Sequence, residues 1–211
     1  MDRAICLFTF GRTNQAAACC CASRVLTYMS IRVEINNRIA EGRLFRLRPH
    51  VQSDPNERTV LMSSEIHDLV SGPWSDGPQG IRCGYLRADL ESFVANDIMT
   101  VCWDPFEARD SKMGRLHPIA DEVWDLRSQA PPPGLRVFCR FAEKDVLVAL
   151  TCSPRSVPVP WLNRLPLRGR LSREWRDAIV ACRRECSVLF PAHQPLSGVD
   201  LSDYISNAVL Q

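Results

Sequence analysis

The feature that most constrains the fold is a pair of apolar runs joined by a short polar segment. The first run covers residues 135–141 (LRVFCRF) and the second covers residues 146–152 (VLVALTC), with AEKD between them. Two such runs separated by a short polar connection predict an antiparallel hairpin. Because the second run lacks polar alternation, we expect it to be buried on both faces in the middle of a sheet.

The remaining patterns predict an α+β fold with an antiparallel sheet centred on this hairpin, flanked by helices. The predicted strands of the main sheet are 98–103, 122–127, 134–142 and 145–152, and the predicted helices are near 86–95 and 172–189. Upstream, alternation predicts a strand at 31–35, with further short strands at 44–47 and 60–62. Ser63 and Ser64 resemble caps of a helix over 65–70, and a short C-terminal helix is predicted over 200–209.

The turn-rich segment SGPWSDGP at residues 71–78 suggests a domain boundary. We expect residues 1–28 to be a disordered extension, with Met29 as an alternative start. Residues 29–71 then form an N-terminal piece of strands and a short helix, and residues 79–211 form the main domain. The alternative is a single domain over residues 29–211, in which the early strands join the same sheet.

Composition excludes several classes of protein. The net charge is only +2, which gives no overall attraction to nucleic acid or membranes. The ten cysteines are mostly single residues in apolar runs or consecutive at 19–21, which does not suit a disulfide framework and indicates a reducing, cytoplasmic location. No apolar run approaches the ~20 residues that span a bilayer, so we expect no membrane partner. The 24 arginines against two lysines fit either codon bias or selection for bidentate anion contacts.

The most promising candidate site is a set of arginines on or just after the central strands, namely Arg127, Arg136, Arg140 and Arg155. The two-residue period of a strand places Arg136, Phe138 and Arg140 on one face, and Val137, Cys139 and Phe141 on the other. Arginines flanking an aromatic ring could bind a phosphate backbone and stack a base. The alternative is a solvated face whose arginine stems cover apolar surface.

Four other groups of residues are weaker candidates for a functional site. His117, ahead of Asp121 and Glu122, could carry a proton, or it could be an ordinary loop histidine. The eight arginines from 155 to 184 could attract an anionic partner, or form helix ion pairs. Cys182, Cys186 and His193 are too few for a zinc site, so the cysteines are predicted to pack in the core and no metal is expected. The tryptophans of 103–107 and 124–125 could frame a pocket with their neighbouring carboxylates, or simply pack.

No nucleophile, phosphate-binding or dinucleotide motif is present, so no cofactor is predicted. The segments EVWDLR (122–127), GLRVFCRF (134–141) and VLVAL (146–150) together resemble the sheet core of RelE/HigB-type toxins. The resemblance covers residues 122–155. The helical pair expected before that sheet is short or displaced, and the Lys-Lys-Thr-like ending is missing. The resemblance implies that Arg127, Arg136, Arg140 and Arg155 bind RNA on the ribosome.

Two functional hypotheses follow from the sequence. One is an RNA-directed, toxin-like protein that binds phosphates through these arginines, with His117 as a possible catalytic proton carrier. The other is a non-catalytic interaction or accessory protein of phage or plasmid type, whose arginines are scattered or paired with carboxylates. The oligomeric state is not predicted by either hypothesis.

Overall fold

The computed structural model describes residues 31–50, 58–107, 110–154 and 173–211. The predicted extension at 1–28, the alternative start at Met29, residue 172 of the helix predicted near 172–189 and the candidate Arg155 lie outside the described residues. The predicted division into segments 29–71 and 79–211 stays a prediction.

Eight strands form one sheet in the order β1-β2-β7-β6-β5-β4-β3-β8. Their bounds are β1 Phe45–Arg46, β2 Thr59–Met62, β3 Met99–Cys102, β4 Met113–Arg115, β5 Trp124–Ser128, β6 Leu135–Glu143, β7 Val146–Pro154 and β8 Ala208–Leu210. The helices are α1 (31–40), α2 Ser64–Val70, α3 Pro78–Val94 and α4 Arg173–Leu189. The α+β class is therefore confirmed.

The prediction of a purely antiparallel sheet was wrong, because the sheet is mixed. Strands β4 to β7 are antiparallel neighbours, whereas β2 runs parallel to β7, and β3 runs parallel to both β4 and β8. A hairpin pattern constrains only strands that are adjacent in sequence. The pairs β2–β7 and β3–β8 are joined by long, helix-containing connections, which permit parallel pairing.

The central hairpin of β6 and β7 is confirmed, and so is the two-sided burial of β7. Leu147 and Ala149 belong to the core on one face, and Val148 and Leu150 belong to the core on the other. Asp145 takes a left-handed conformation (φ 62°) in the tight turn that joins the two strands. Because β7 lies between β2 and β6, neither of its faces needs to be polar.

Helices cover both faces of the sheet. The first face carries α2 and α3, and its core includes Leu86, Leu90 and Phe93 of α3. The second face carries α1 and α4, whose Ile35 and Ile179 pack into the other core. The structure is therefore a three-layer arrangement with the sheet in the middle.

The strand predicted at 31–35 was wrong, because these residues begin α1. Ile31 and Ile35 are both 5% exposed, while Val33 between them is 60% exposed. A strand would have placed all three side chains on one face, whereas a helix turns the middle residue away from the residues at i and i+4. Five residues of alternation fit both patterns.

Two other predicted helices also differ from the structure. The helix expected over 86–95 begins earlier, at Pro78, a residue that is well suited to the first turn of a helix. The C-terminal helix expected over 200–209 was wrong, because a single turn at Leu201–Asp203 is followed by β8. Asn207 interrupts the segment with a left-handed backbone (φ 54°).

Arg58 joins the end of α3 to the segment that leads into β8. The side chain is almost fully buried, and its Nη2 donates to the carbonyl oxygens of Asp97, Ser206 and Asn207 at 2.7–3.1 Å. Its Nε lies 3.7 Å from a carboxylate oxygen of Asp145 in the hairpin turn. One guanidinium therefore satisfies carbonyl groups from two distant parts of the chain.

We expect Arg58→Met to lower the free energy of unfolding by about 3 kcal/mol, because it leaves several buried carbonyl groups without donors. Urea denaturation followed by circular dichroism measures this change. The matched control is Arg46→Met in the exposed part of β1, which should change stability by less than about 0.5 kcal/mol. Equal effects of the two substitutions would show that the Arg58 contacts do not stabilise the fold.

Candidate functional site

Two of the predicted arginines meet at one buried carboxylate on the second face of the sheet. Arg136 Nη1 donates to Asp125 Oδ2 at 2.5 Å, and Arg127 Nε lies 3.0 Å from the same oxygen. The Asp125 side chain has no solvent exposure, whereas those of Arg127 and Arg136 are 12% and 19% exposed. We call Asp125, Arg127 and Arg136 the arginine–aspartate site.

The strand register explains why these groups meet. Arg127 of β5 and Arg136 of β6 are directly opposite each other, so their like charges would destabilise the pair. Asp125 lies two residues before Arg127 and therefore on the same face of β5. Its carboxylate accepts from both guanidinium groups, which turns a repulsive contact into a connected network.

Two small residues make room for Arg127 next to the strand. Gly114 of β4 is the register partner of Asp125, and a Cβ on it would clash with the Arg127 guanidinium and lie 2.9 Å from Asp125 Oδ1. The buried Ser111 accepts a 2.7 Å hydrogen bond from Arg127 Nη1. Glycine in a strand often marks such a close approach.

Helix α4 places an aromatic ring over this site. The Arg136 guanidinium lies 4.6 Å from the centroid of the Trp175 ring, which is a cation–π distance. Trp175 in turn packs edge-on against Phe138, at 5.3 Å between ring centroids. The period-two prediction placed Arg136, Phe138 and Arg140 on one face, and the core containing Phe138 agrees with it. That face is covered by α4 rather than solvated.

The other predicted site residues lie apart from this cluster. Arg140 is 9% exposed and donates to the carbonyl oxygen of Asp121, not to the Asp125 carboxylate. His117 is exposed and its ring contacts the Phe106 ring at 4.9 Å. In the part of the chain that the structure describes, no contact joins His117 to the arginine–aspartate site.

A second polar cluster is buried on the first face. Arg115 Nη2 lies 2.7 Å from Glu122 Oε1, and the Tyr204 hydroxyl donates to Glu122 Oε2 at 2.8 Å. The Arg115 guanidinium stacks over Trp103 at 4.7 Å, and Trp124 lies 5.9 Å away. Burial, together with the hydrogen bond to Glu122, raises the pKa of Tyr204 to about 12. The Glu122 carboxylate is paired with both groups, and the cluster attaches the C-terminal segment to the sheet.

The tryptophan–carboxylate pocket is not formed as the sequence suggested. Trp124 packs in the first-face core, while Asp125 points to the second face, as adjacent residues of a strand must. Trp103 packs against the same first-face core. The neighbouring side chains therefore serve separate clusters.

The cysteines of α4 pack in the core, and two of its arginines form ion pairs. Cys182 and Cys186 are buried in the second-face core, as predicted, and burial raises the pKa of both thiols. Within the described ranges, no group of three or more His, Cys, Asp or Glu residues could hold a metal ion. On α4, Arg173 lies 3.8 Å from Asp177 in an exposed pair, and Arg183 pairs with Asp121 at 3.1 Å.

None of the helices within the described ranges has the length and apolar character needed to cross a membrane. Sequence reasoning missed Gly114, Ser111 and Trp175 as parts of the site. An isolated glycine in a short strand was the one signal available, while the loop serine and the first-turn tryptophan of α4 carried none.

Three comparisons with known proteins, against family models, curated proteins and solved structures, find no match.

Tyr204 makes the free energy of unfolding depend on pH in the alkaline range. The pKa of Tyr204 is near 10 in the unfolded chain and about 12 in the folded protein, so the folded state holds the phenolic proton more tightly. This contribution is complete below pH 10 and is lost as the pH rises to 12, at a cost of about 2 kcal/mol. Urea titrations at both pH values should show a loss that is about 2 kcal/mol smaller in Tyr204→Phe than in the wild type and in Tyr85→Phe. The buried cysteine thiols, whose pKa values are also raised, contribute equally to the loss in all three proteins. An identical loss in Tyr204→Phe would contradict the assignment.

Proposed function

We propose that the chain is an RNA-directed, toxin-like protein that binds phosphate groups through the arginine–aspartate site. The observation that carries this proposal is the convergence of two partly exposed guanidinium groups on one buried carboxylate. A phosphate is the anion that a guanidinium fork binds best.

The role of Asp125 in this proposal is orientation. A free arginine side chain loses rotamer entropy when it binds, and a guanidinium already held by hydrogen bonds loses less. Arg127 is held by Asp125 and Ser111, and Arg136 is held by Asp125 and the Trp175 ring. Both groups are thus arranged before a ligand arrives.

Trp175 adds a surface on which a base can stack. The ring is only partly buried and lies next to the Arg136 guanidinium. Proteins that bind single-stranded nucleic acid combine positive groups with such aromatic rings, and each stacked base contributes about 1–3 kcal/mol. The neighbouring helix surface carries further arginines, including the exposed Arg176.

The proposal also draws on the resemblance of three sequence segments to the sheet core of RelE/HigB-type toxins. These segments form the adjacent antiparallel strands β5, β6 and β7. Such a function would be exercised in the cytoplasm, where ribosomes and RNA are found. His117 has no part in the binding step, and Arg140 belongs to a different environment.

A second candidate is a non-catalytic protein that binds another protein. It is favoured by the pairing of Arg127 and Arg136 with Asp125, because internally paired arginines also occur as purely structural groups. The two candidates differ in what the purified protein binds and in the effect of its expression on growth.

RNA binding by the purified chain is the direct test. We expect affinity for a single-stranded RNA to fall as salt is raised, and Arg136→Ala to make the slope of log K against log salt shallower by about 0.7–1. The control is Arg46→Ala, an exposed arginine of β1 at the other side of the sheet, which should leave the slope unchanged. Absent or salt-independent binding of RNA would contradict the proposal.

Growth on induced expression separates the two candidates. The toxin-like function predicts that the wild-type chain arrests growth and that Arg136→Ala, made to the same level, does not. A wild type that leaves growth unaffected would favour the interaction protein.

A further inference from the structure

Two hydroxyl side chains of β7 lie beside the arginine–aspartate site. Ser153 is the register partner of Arg136, and Thr151 is the register partner of Phe138. Residues directly opposite each other in an antiparallel pair point to the same face of the sheet, with Cβ atoms about 4.5–5.5 Å apart. Because Phe138 packs in the second-face core, both hydroxyl residues belong to that face, next to Arg136.

The two hydroxyl residues differ in accessibility. Ser153 is partly exposed, near the end of β7. The Oγ1 atom of Thr151 is buried and has no hydrogen-bond partner in the described part of the chain. Of these two side chains, Ser153 is therefore the one that a ligand could reach without displacing its neighbours.

The positions of a ring and a guanidinium group indicate where the sugar of a bound nucleotide lies. In the proposed function a phosphate binds Arg136 and a base stacks on Trp175, whose ring centroid is 4.6 Å from the Arg136 guanidinium. The ribose connects the base with the phosphate, so it has to lie between these two contacts. Ser153 is on the adjacent strand, and neighbouring strands are about 4.8 Å apart. A hydroxyl group is thus present on the strand next to the sugar.

We propose that Ser153 is a specificity-determining residue, whose hydroxyl bonds the 2′-hydroxyl of the nucleotide held by Arg136 and Trp175. The inference rests on the proposed function and adds to it a preference for RNA over single-stranded DNA. A 2′-hydroxyl both donates and accepts hydrogen bonds, as a serine hydroxyl does, and it is the group by which proteins distinguish the two nucleic acids. One added hydrogen bond of ordinary strength corresponds to a roughly two- to tenfold difference in affinity.

Three single strands of the same adenine-only sequence test the role of the 2′-hydroxyl in the full-length wild type. They are RNA, DNA and 2′-fluoro RNA, which keeps an RNA-like sugar but lacks the hydroxyl. Fluorescence anisotropy at matched salt should show that RNA binds about two- to tenfold more tightly than either analogue. Equal binding of RNA and 2′-fluoro RNA would overturn this inference and leave the proposed function standing. A wild type that binds none of the three strands would contradict the proposed function, and the inference would fail with it.

Ser153→Ala tests the assigned residue, with the isosteric Thr151→Val on the same face of β7 as its matched control. We expect Ser153→Ala to bind RNA and DNA with nearly equal affinity, and Thr151→Val to keep the wild-type ratio of the two affinities. The ratio compares two ligands on one folded protein, so a small change in stability does not alter it. A wild-type ratio in Ser153→Ala, or its loss in Thr151→Val, would overturn the inference. If Ser153→Ala does not fold, Ser153→Cys, whose thiol is a weak hydrogen-bonding group, carries the same expectation.

Discussion

The carboxylate of Asp125 is the group on which the second face of the sheet depends. It is completely buried, and both Arg127 and Arg136 donate to it from adjacent strands. Without it, two like charges would face each other across β5 and β6 near the middle of the sheet. The space left by Gly114 and the ring of Trp175 complete an arrangement that this carboxylate holds together.

Several of the described arginines do structural work that lysine could not do. Arg58 reaches carbonyl groups just after α3 and before β8 with one planar fork, and Arg115 joins a carboxylate while stacking on tryptophan. These contacts need several donors in fixed directions and a flat face, which only a guanidinium provides. The arginines on the second face use the same chemistry, but Arg136 stays partly exposed and Arg140 donates to a backbone carbonyl oxygen.

The hairpin and the two-faced burial of β7 were predictable because two apolar runs are joined by a short polar segment and the second run has no polar face. The five residues at 31–35 were too few for that, and only the exposure of Val33 distinguishes α1 from a strand. The face of β6 on which Arg136 lies could be predicted from the two-residue period of a strand. Its contact with Asp125 depends instead on the register between β5 and β6. The contact between Gly114 and Arg127 depends on the same register, and a single sequence does not encode register openly.

The central claim is that Asp125 orients the two arginines for binding. The most direct test compares the affinities of Asp125→Asn and the wild type for single-stranded RNA at matched salt. The substitution removes one negative charge, so charge alone would make binding tighter. If orientation is decisive, as the geometry of Arg127 and Arg136 predicts, the folded variant binds RNA more weakly despite its greater positive charge. Tighter binding by the folded variant would contradict the account.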